Sequence, residues 1–331
     1  METVVSGIRS TGNLHLGNYF GMISQAVKMQ HNYNCYYFVA DLHSLTTHPK
    51  PIDFQRNVKQ VLVEYLACGI DPEKCILYVQ SDIPEISELY LIMNMLAYKG
   101  ELERVVTFKD KARKQPDNIN AGLLTYPVLM AVDIIIQQAD KVPVGKDQEQ
   151  HLEMTRNYVK RFNSMYGVDF FHEPVAFSYE KNLIKIPGLD GSGKMGKSEG
   201  EKNAVYLSDT PEKIRKKVMR AVTDSGPEKA NSVKTDAVQN LFTLLNVVSA
   251  PDTVQYFEEQ YNHCTIRYGD LKKQLAEDII TFTTPIREKI EALSADDAYI
   301  LKLRTQGAEK ARENARKTLE GVREIIGITT K

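Results

Sequence analysis

Two segments carry residue types suited to handling a chain of phosphates. The first is Ser6-Gly7-Ile8-Arg9-Ser10-Thr11-Gly12-Asn13-Leu14-His15-Leu16-Gly17-Asn18. It follows an apolar run, Val4–Ile8, that reads as a buried strand, and it opens apolar positions recurring at helical spacing from Leu16 to Met29. A turn between strand and helix offers main-chain N–H groups and the positive end of the helix dipole, which suit an anionic phosphate. Gly17 and Gly21 are four apart and share a helix face that a flat base or ribose can approach. His15 and Asn18 supply donors where negative charge grows on phosphate oxygens. The second segment, Gly191-Ser192-Gly193-Lys194-Met195-Gly196-Lys197-Ser198, is glycine-rich, and its Lys194 and Lys197 bring two point charges. It lacks the GxxxxGK[ST] frame of a P-loop. Each segment also has a bland reading: a capped turn with an exposed histidine, and an ordinary lysine-bearing loop.

The elements that must position these residues alternate. After the first strand and helix, Cys35–Ala40 reads as an aromatic-rich strand ending at Asp41. Phe54–Cys68 reads as a helix closed by Gly69 and the Asp71-Pro72 turn, and Cys75–Gln80 as a third strand. This rhythm predicts a parallel α/β sheet of the Rossmann-like kind. Candidate helices then follow at Ile86–Tyr98, Pro127–Gln138 and Gln148–Phe162, with a loop at Gln115–Asn120. From about Thr210 onward the pattern is helical only, most plainly at Ala311, Ala315, Leu319, Val322 and Ile326. The expected organisation is a catalytic α/β domain over residues 1–200, with a helical insertion, and an all-helical domain over residues 201–331.

Composition is that of an ordinary soluble protein: 331 residues, 42% hydrophobic and 26% charged. No apolar run is long enough to span a membrane, and the first residues lack the features of a secretion signal. Cys35, Cys68, Cys75 and Cys264 form no CxxC pair, so neither zinc nor an iron–sulfur cluster is expected. Unpaired cysteines beside apolar residues fit a reducing compartment, hence the cytoplasm. With 42 basic and 43 acidic residues the chain has no global basic field, so any nucleic-acid contact must use local patches. Local basic runs occur at Lys109–Lys114, Arg215–Lys217 with Arg220, and Lys310–Lys317, although such runs are often solvated faces compensated by acids. Arg312, Arg316 and Arg323 share one helical face and are candidates for phosphate contacts to RNA.

The two phosphate-handling segments together resemble the paired signatures of class I aminoacyl-tRNA synthetases. His15-Leu16-Gly17-Asn18 is similar to the HIGH motif, and Lys194-Met195-Gly196-Lys197-Ser198 to KMSKS, with Gly196 where serine is usual. Within that class the chain resembles the tryptophanyl-tRNA synthetases over nearly its full length. The matching stretches are Ser6–Gly21, Ala121–Asp133, Val142–Gln150, Ile186–Ser198 and Leu207–Pro211. The resemblance implies tryptophan, ATP with magnesium, and tRNA(Trp) as partners, a homodimer, and a C-terminal helical domain that recognises the anticodon.

It also implies site residues. His15, Asn18, Lys194 and Lys197 would be catalytic. Arg9, Ser10, Thr11, Gly17, Asn18, Lys111, Gly145, Asp147, Ile186, Met195 and Ser198 would join the two lysines around ATP. Val5, His43, Tyr126, Met130, Asp133, Val142, Val144 and Gln148 would surround the amino acid, with Gln148 and Tyr126 near its α-amino group. Asp147 also reads as a plain helix N-cap, and His43 as a plain turn histidine.

The residues themselves bear on the amino-acid pocket. Tyr126, Met130 and Asp133 fall at i, i+4 and i+7 and so share a helix face. Asp133 interrupts the apolar run Val128–Ile136, and a buried carboxylate requires a donor. An indole N–H is a donor without acceptor capacity, so it suits Asp133, while Met130 packs softly against the ring. The alternative is that Asp133 bonds a neighbouring main-chain or basic group. Tyrosine is the rival ligand, because a phenol can also donate to a carboxylate; tyrosine-specific relatives typically place a Gln where Met130 stands. Two further readings are a small-molecule adenylyltransferase on the same fold and a synthetase-like protein that binds without catalysing. The former is usually shorter, and the latter tends to lose signature residues that are kept here.

Overall fold

The computed structural model describes residues 1–145, 149–177, 185–191, 193–196 and 202–328. Five strands form one parallel sheet: β1 (Thr3–Arg9), β2 (Asn34–Ala40), β3 (Ile76–Val79), β4 (Lys141–Pro143) and β5 (Val175–Phe177). Their order is β3-β2-β1-β4-β5. β1 and β2 pair along their whole length, from Thr3↔Asn34 to Arg9↔Ala40. β2 is apolar and buried almost throughout because helices cover both sheet faces. The chain builds outward from β1 to β3, then returns to the other flank of β1 with β4. That reversal makes the β1/β4 junction the topological switch point, beyond whose carboxyl ends open α/β sheets bind ligands. β1 meets β4 at Val4↔Lys141 and runs on to Arg9, so its last residues border a crevice.

The helices of the first half are α1 (Leu16–Asn18), α2 (Ser24–Met29), α3 (Pro51–Ala67), α4 (Glu85–Asn94), α5 (Lys99–Leu102), α6 (Val106–Lys114), α7 (Ala121–Ile135) and α8 (Glu149–Tyr166). A π-helical turn, Tyr19–Ile23, joins α1 to α2. α3 starts three residues before the expected Phe54, because Pro51 occupies its first turn, where a missing N–H costs nothing. α7 starts six residues before the expected Pro127. The Asn120 side chain caps it by accepting from Leu123 N at 2.9 Å, and Pro127 is carried inside the helix. β5 is a half-exposed edge strand of three residues, too short for its period to register in the sequence.

The second half contributes α9 (Pro211–Met219), α10 (Asp236–Val248), α11 (Pro251–Asn262), α12 (Tyr268–Ser294) and α13 (Asp297–Ile326). Two hydrophobic clusters hold the molecule together, and both join sheet to late helices. One unites Val4, Tyr37 and α3 with α10 and α12. The other unites Val5, Phe38 and α7 with Ala311, Ala315, Leu319 and Val322 of α13. Ile326, the last position of that stripe, is half-buried.

The arginines of α13 named above as candidates for RNA contacts have partners within the chain. Arg312 and Arg316 both donate to Glu85, at 3.1 Å each, and Arg323 Nη1 lies 3.5 Å from Glu88 Oε1. They tie α13 to α4, so their charges are met within the chain. Other basic positions are met similarly: Arg215 by Glu277, Lys217 by Asp209 and Lys317 by Glu313. Cys35, Cys68 and Cys75 are buried free thiols, and Cys264 is exposed. Among the described residues no helix is long and apolar enough to cross a membrane.

Candidate active site

A cavity of about 390 Å³ opens at the carboxyl ends of β1, β2 and β4. Nine of the residues implied by the sequence line it: Val5, Arg9, His43, Lys111, Tyr126, Met130, Asp133, Val142 and Val144. α7 supplies Tyr126, Met130 and Asp133 from one face, as their spacing requires. β1 supplies Val5 and Arg9, and the 3-10 turn Leu42–Thr47 after β2 supplies His43. The floor is apolar, with Val5, Phe38, Ile134 and Val142 around it.

Asp133 is 2% exposed, and both its oxygens have partners. His43 Nε2 lies 2.9 Å from Oδ2, and Gln80 Nε2 donates to Oδ1 at 2.7 Å. Burial raises the Asp133 carboxyl above its ordinary range, and the hydrogen bonds of His43 and Gln80 oppose that rise. A neighbouring basic group therefore does bond Asp133. Each carboxylate oxygen has a second acceptor position, so these contacts still admit a donor from a ligand.

Tyr126 lies on the same face of α7 as Asp133, seven residues nearer its start. Its hydroxyl bonds Thr107 Oγ1 and lies 3.1 Å from His151 Nε2. Lys111 Nζ stands 3.6 Å from the centroid of the Tyr126 ring. Burial, reinforced by the charge of Arg9, pulls the Lys111 ammonium down to about 8. Arg9 donates through Nη2 to His43 O at 3.2 Å, while its buried Nε has no partner among the described residues. Two cations thus share one rim of the cavity, an arrangement that suits an incoming anion.

The first phosphate-handling segment is held on three sides. Leu14 N donates to the fully buried Glu64 Oε2 at 2.6 Å, Leu16 N donates to Val205 O, and Leu207 N donates to Leu14 O. Asn18 Oδ1 accepts from His15 N at 3.1 Å, which turns the Asn18 amide N–H groups away from the helix start. Gly17 packs under the His15 ring, and a side chain there would also meet Met195 Cβ at 3.5 Å. The two signature segments are therefore neighbours in space, far apart as they are in sequence.

The remaining implied residues are distributed around this junction. Ser10 is buried and donates to Ser44 Oγ at 3.0 Å; Thr11 is exposed at the turn; Gly145 is half-buried beside Val144. Ile186 and Met195 are core residues joined by Met195 N donating to Ile186 O, so a ligand would meet their main chain. Lys194 is exposed. Asp147, Gln148, Lys197 and Ser198 lie outside the described residues.

The sequence reading missed Gln80, Thr107 and His151. A signal existed for Gln80, a polar residue closing an apolar strand at the rim where ligands bind. Thr107 and His151 carry no local signal; they matter because α6 and α8 bring them to Tyr126. Among the described residues no three His, Cys, Asp or Glu side chains gather in a metal-binding group.

Comparison with known proteins gives the same picture. Residues 2–284 match the family model of class I tRNA synthetases for tryptophan and tyrosine (W and Y). The chain is 63% identical over 327 residues to the tryptophan–tRNA ligase of Porphyromonas gingivalis, covering 99% of each. It is 38% identical over 328 residues to that of Clostridium tetani, covering 98% of this chain and 96% of the relative. Among solved structures, the Campylobacter jejuni tryptophanyl-tRNA synthetase complexed with ADP and tryptophan superposes with a TM-score of 0.87 at 31% identity, covering 98% of this chain and 99% of the other. A signature pair joined in space, a buried acceptor in an apolar cavity and full-length similarity agree: the chain belongs to the class I tRNA synthetases, and within them to the tryptophanyl-tRNA synthetases.

Proposed function

We propose that this protein activates L-tryptophan with ATP and transfers it to tRNA(Trp), acting as a tryptophan–tRNA ligase. The observation that carries this reading is Asp133, a buried acceptor at the end of a largely apolar cavity that Ser6, Gly7 and Arg9 of the first segment help to line. An indole fills such a cavity and gives its N–H to the carboxylate. Met130 and Val144 lie against the ring, and Tyr126 faces the α-amino end.

The tryptophan carboxylate then attacks the α-phosphorus of ATP in line, and pyrophosphate leaves. A carboxylate is already nucleophilic, so positioning and charge stabilisation supply the catalysis. His15, Asn18, Lys194 and Lys197 take the phosphate-stabilising roles, and Lys111 and Arg9, which line the cavity, add two cations. Arg9, Ser10, Thr11, Gly17, Gly145, Asp147, Ile186, Met195 and Ser198 complete the nucleotide site, and Gln148 joins Tyr126 at the α-amino group. Magnesium would enter with the nucleotide, held mainly by its phosphates. A hydroxyl of the terminal ribose of tRNA next attacks the adenylate carbonyl and gives up its proton, the carbonyl–phosphate bond breaks, and AMP leaves as the aminoacyl ester forms.

We assign residues 1–200 to catalysis and 201–331 to tRNA binding, and place the protein in the cytoplasm as a homodimer. Leu91, Met95 and Tyr98, exposed along and after α4, are the apolar row we assign to the dimer contact.

The test is exchange of labelled pyrophosphate into ATP with tryptophan, tyrosine and phenylalanine supplied separately. Exchange with tryptophan alone supports the reading. Exchange with tyrosine would overturn the pocket assignment, and exchange with none, from folded protein, would overturn the enzyme.

A further inference from the structure

We propose that Gln80 is the positioning residue that keeps Asp133 an acceptor, and so sets the preference for an indole over a phenol. This rests on the tryptophan-activating reading above. Gln80 closes β3 and is fully buried behind the cavity wall. Its amide has one available orientation. Oε1 accepts from Leu42 N at 3.0 Å, and a main-chain N–H can only donate. Nε2 must therefore face the other way, where it donates to Asp133 Oδ1 at 2.7 Å.

The consequence is chemical. An ionised carboxylate only accepts, which matches an indole N–H that only donates. A protonated Asp133 would present an O–H, which clashes with an indole N–H but suits a phenol oxygen. Burial drives Asp133 toward that protonated form, and the donors from Gln80 and His43 hold it back. His43 can switch tautomer, whereas Gln80, pinned by Leu42, cannot. Asp133 thus has one fixed donor in Gln80 and one adjustable donor in His43; the other titratable groups nearby are Tyr78, whose phenol is raised by burial and further by the Asp133 charge, and Arg9, Lys111 and Tyr126 in the cavity lining.

The test compares wild type with Gln80→Met, which keeps the length and removes the donor. Tryptophan-dependent pyrophosphate exchange is measured across a range of pH, in parallel with β-(3-benzothienyl)alanine, in which sulfur replaces the indole N–H. The expected result is a tryptophan KM raised about tenfold or more in Gln80→Met, as for a lost hydrogen bond to a charged group. That KM should climb further as pH falls, with kcat and the analogue's KM little changed. In an Asp133→Asn background, the same Gln80→Met change should have little effect. An equal rise for tryptophan and the analogue, a pH-independent rise, or an undiminished effect in Asp133→Asn would each overturn the proposal. If Gln80→Met does not fold, Gln80→Leu carries the same comparison. Wild-type exchange with tryptophan is the control for the parent reading, so failure there is distinct from failure here.

Discussion

Gly17 lies against the imidazole of His15, close enough that a methyl on its Cα would stand 2.9 Å from both ring Cε1 and Nδ1. His15 is 7% exposed and begins α1, so its ring has little room to withdraw. The glycine is thus required by the position of a neighbouring side chain.

Gly17→Ala should therefore displace His15 while leaving the cavity around Asp133 intact. A displacement of about 1 Å at a phosphate-stabilising donor costs roughly 10²-fold in rate. The expected outcome is a drop of that order in pyrophosphate exchange with tryptophan affinity retained. Affinity is readable from the fluorescence of bound tryptophan, because the chain contains no tryptophan of its own. Parallel loss of affinity and rate would show that the glycine serves the fold instead.

Lys111 gives a pH prediction. Its ammonium is depressed to about 8, so in the free protein its charge is present below that pH and lost as pH rises through it. A bound triphosphate would favour the charged form and draw the proton back. The ATP KM should therefore rise above about pH 8, with the tryptophan KM unaffected. Lys111→Met should raise the ATP KM at neutral pH and flatten the profile, whereas Lys111→Arg, always charged, should abolish the alkaline rise. An ATP KM that rises identically in all three proteins would remove Lys111 from the nucleotide site.

The legible parts of this fold were those with strong local periodicity. β1 to β3, α3 and α8 stand within a few residues of their expected bounds. Pro127 misplaced the start of α7, because a proline normally marks a first turn. The cavity side chains Tyr126, Met130 and Asp133 could be grouped because one helix presents them. Gln80 marked itself only as a polar residue closing an apolar strand, and neither it nor His151 could be joined to its partner, 53 and 25 positions away. The internal partners of Arg312, Arg316 and Arg323 on α13 were hidden for a related reason. Helical spacing revealed their shared face but not Glu85, 227 positions earlier, which meets two of them.

That meeting point is testable by acid. Burial would raise the Glu85 carboxyl, but Arg312 and Arg316 outweigh it and hold the group below its ordinary value. A depressed carboxylate contributes stability above its unfolded pKa, about 4.3, and loses it as pH falls through the lower folded value. Glu85→Gln should therefore destabilise the protein by about 1–3 kcal/mol near neutral pH. The difference from wild type should shrink below about pH 4. Chemical denaturation at the two conditions measures this, and a difference independent of pH would assign the effect to packing.

The docking of α13 on the sheet depends on Gly307. A Cβ there would stand 1.8 Å from the carbonyl oxygen of Leu77 and 2.8 Å from its carbon, both main-chain atoms of β3. β3 is an edge strand, but it is hydrogen-bonded to β2 from Ile76 to Val79 and cannot move aside without breaking that pairing, so the helix must lift, and with it the seating of Ala311 and Ala315. Alanine is the better helix former by about 1 kcal/mol, which acts in the opposite direction. Overpacking against a rigid backbone, about 3 kcal/mol or more, outweighs it. Gly321 in the same helix is the control, since its Cβ would meet the half-buried ring of Phe170 at 2.6 Å, a side chain that can rotate. Gly307→Ala should therefore lower stability by several times the change caused by Gly321→Ala in chemical denaturation. Equal effects would mean that α13 can shift along β3 without loss, and that the close approach at Leu77 is not what seats it.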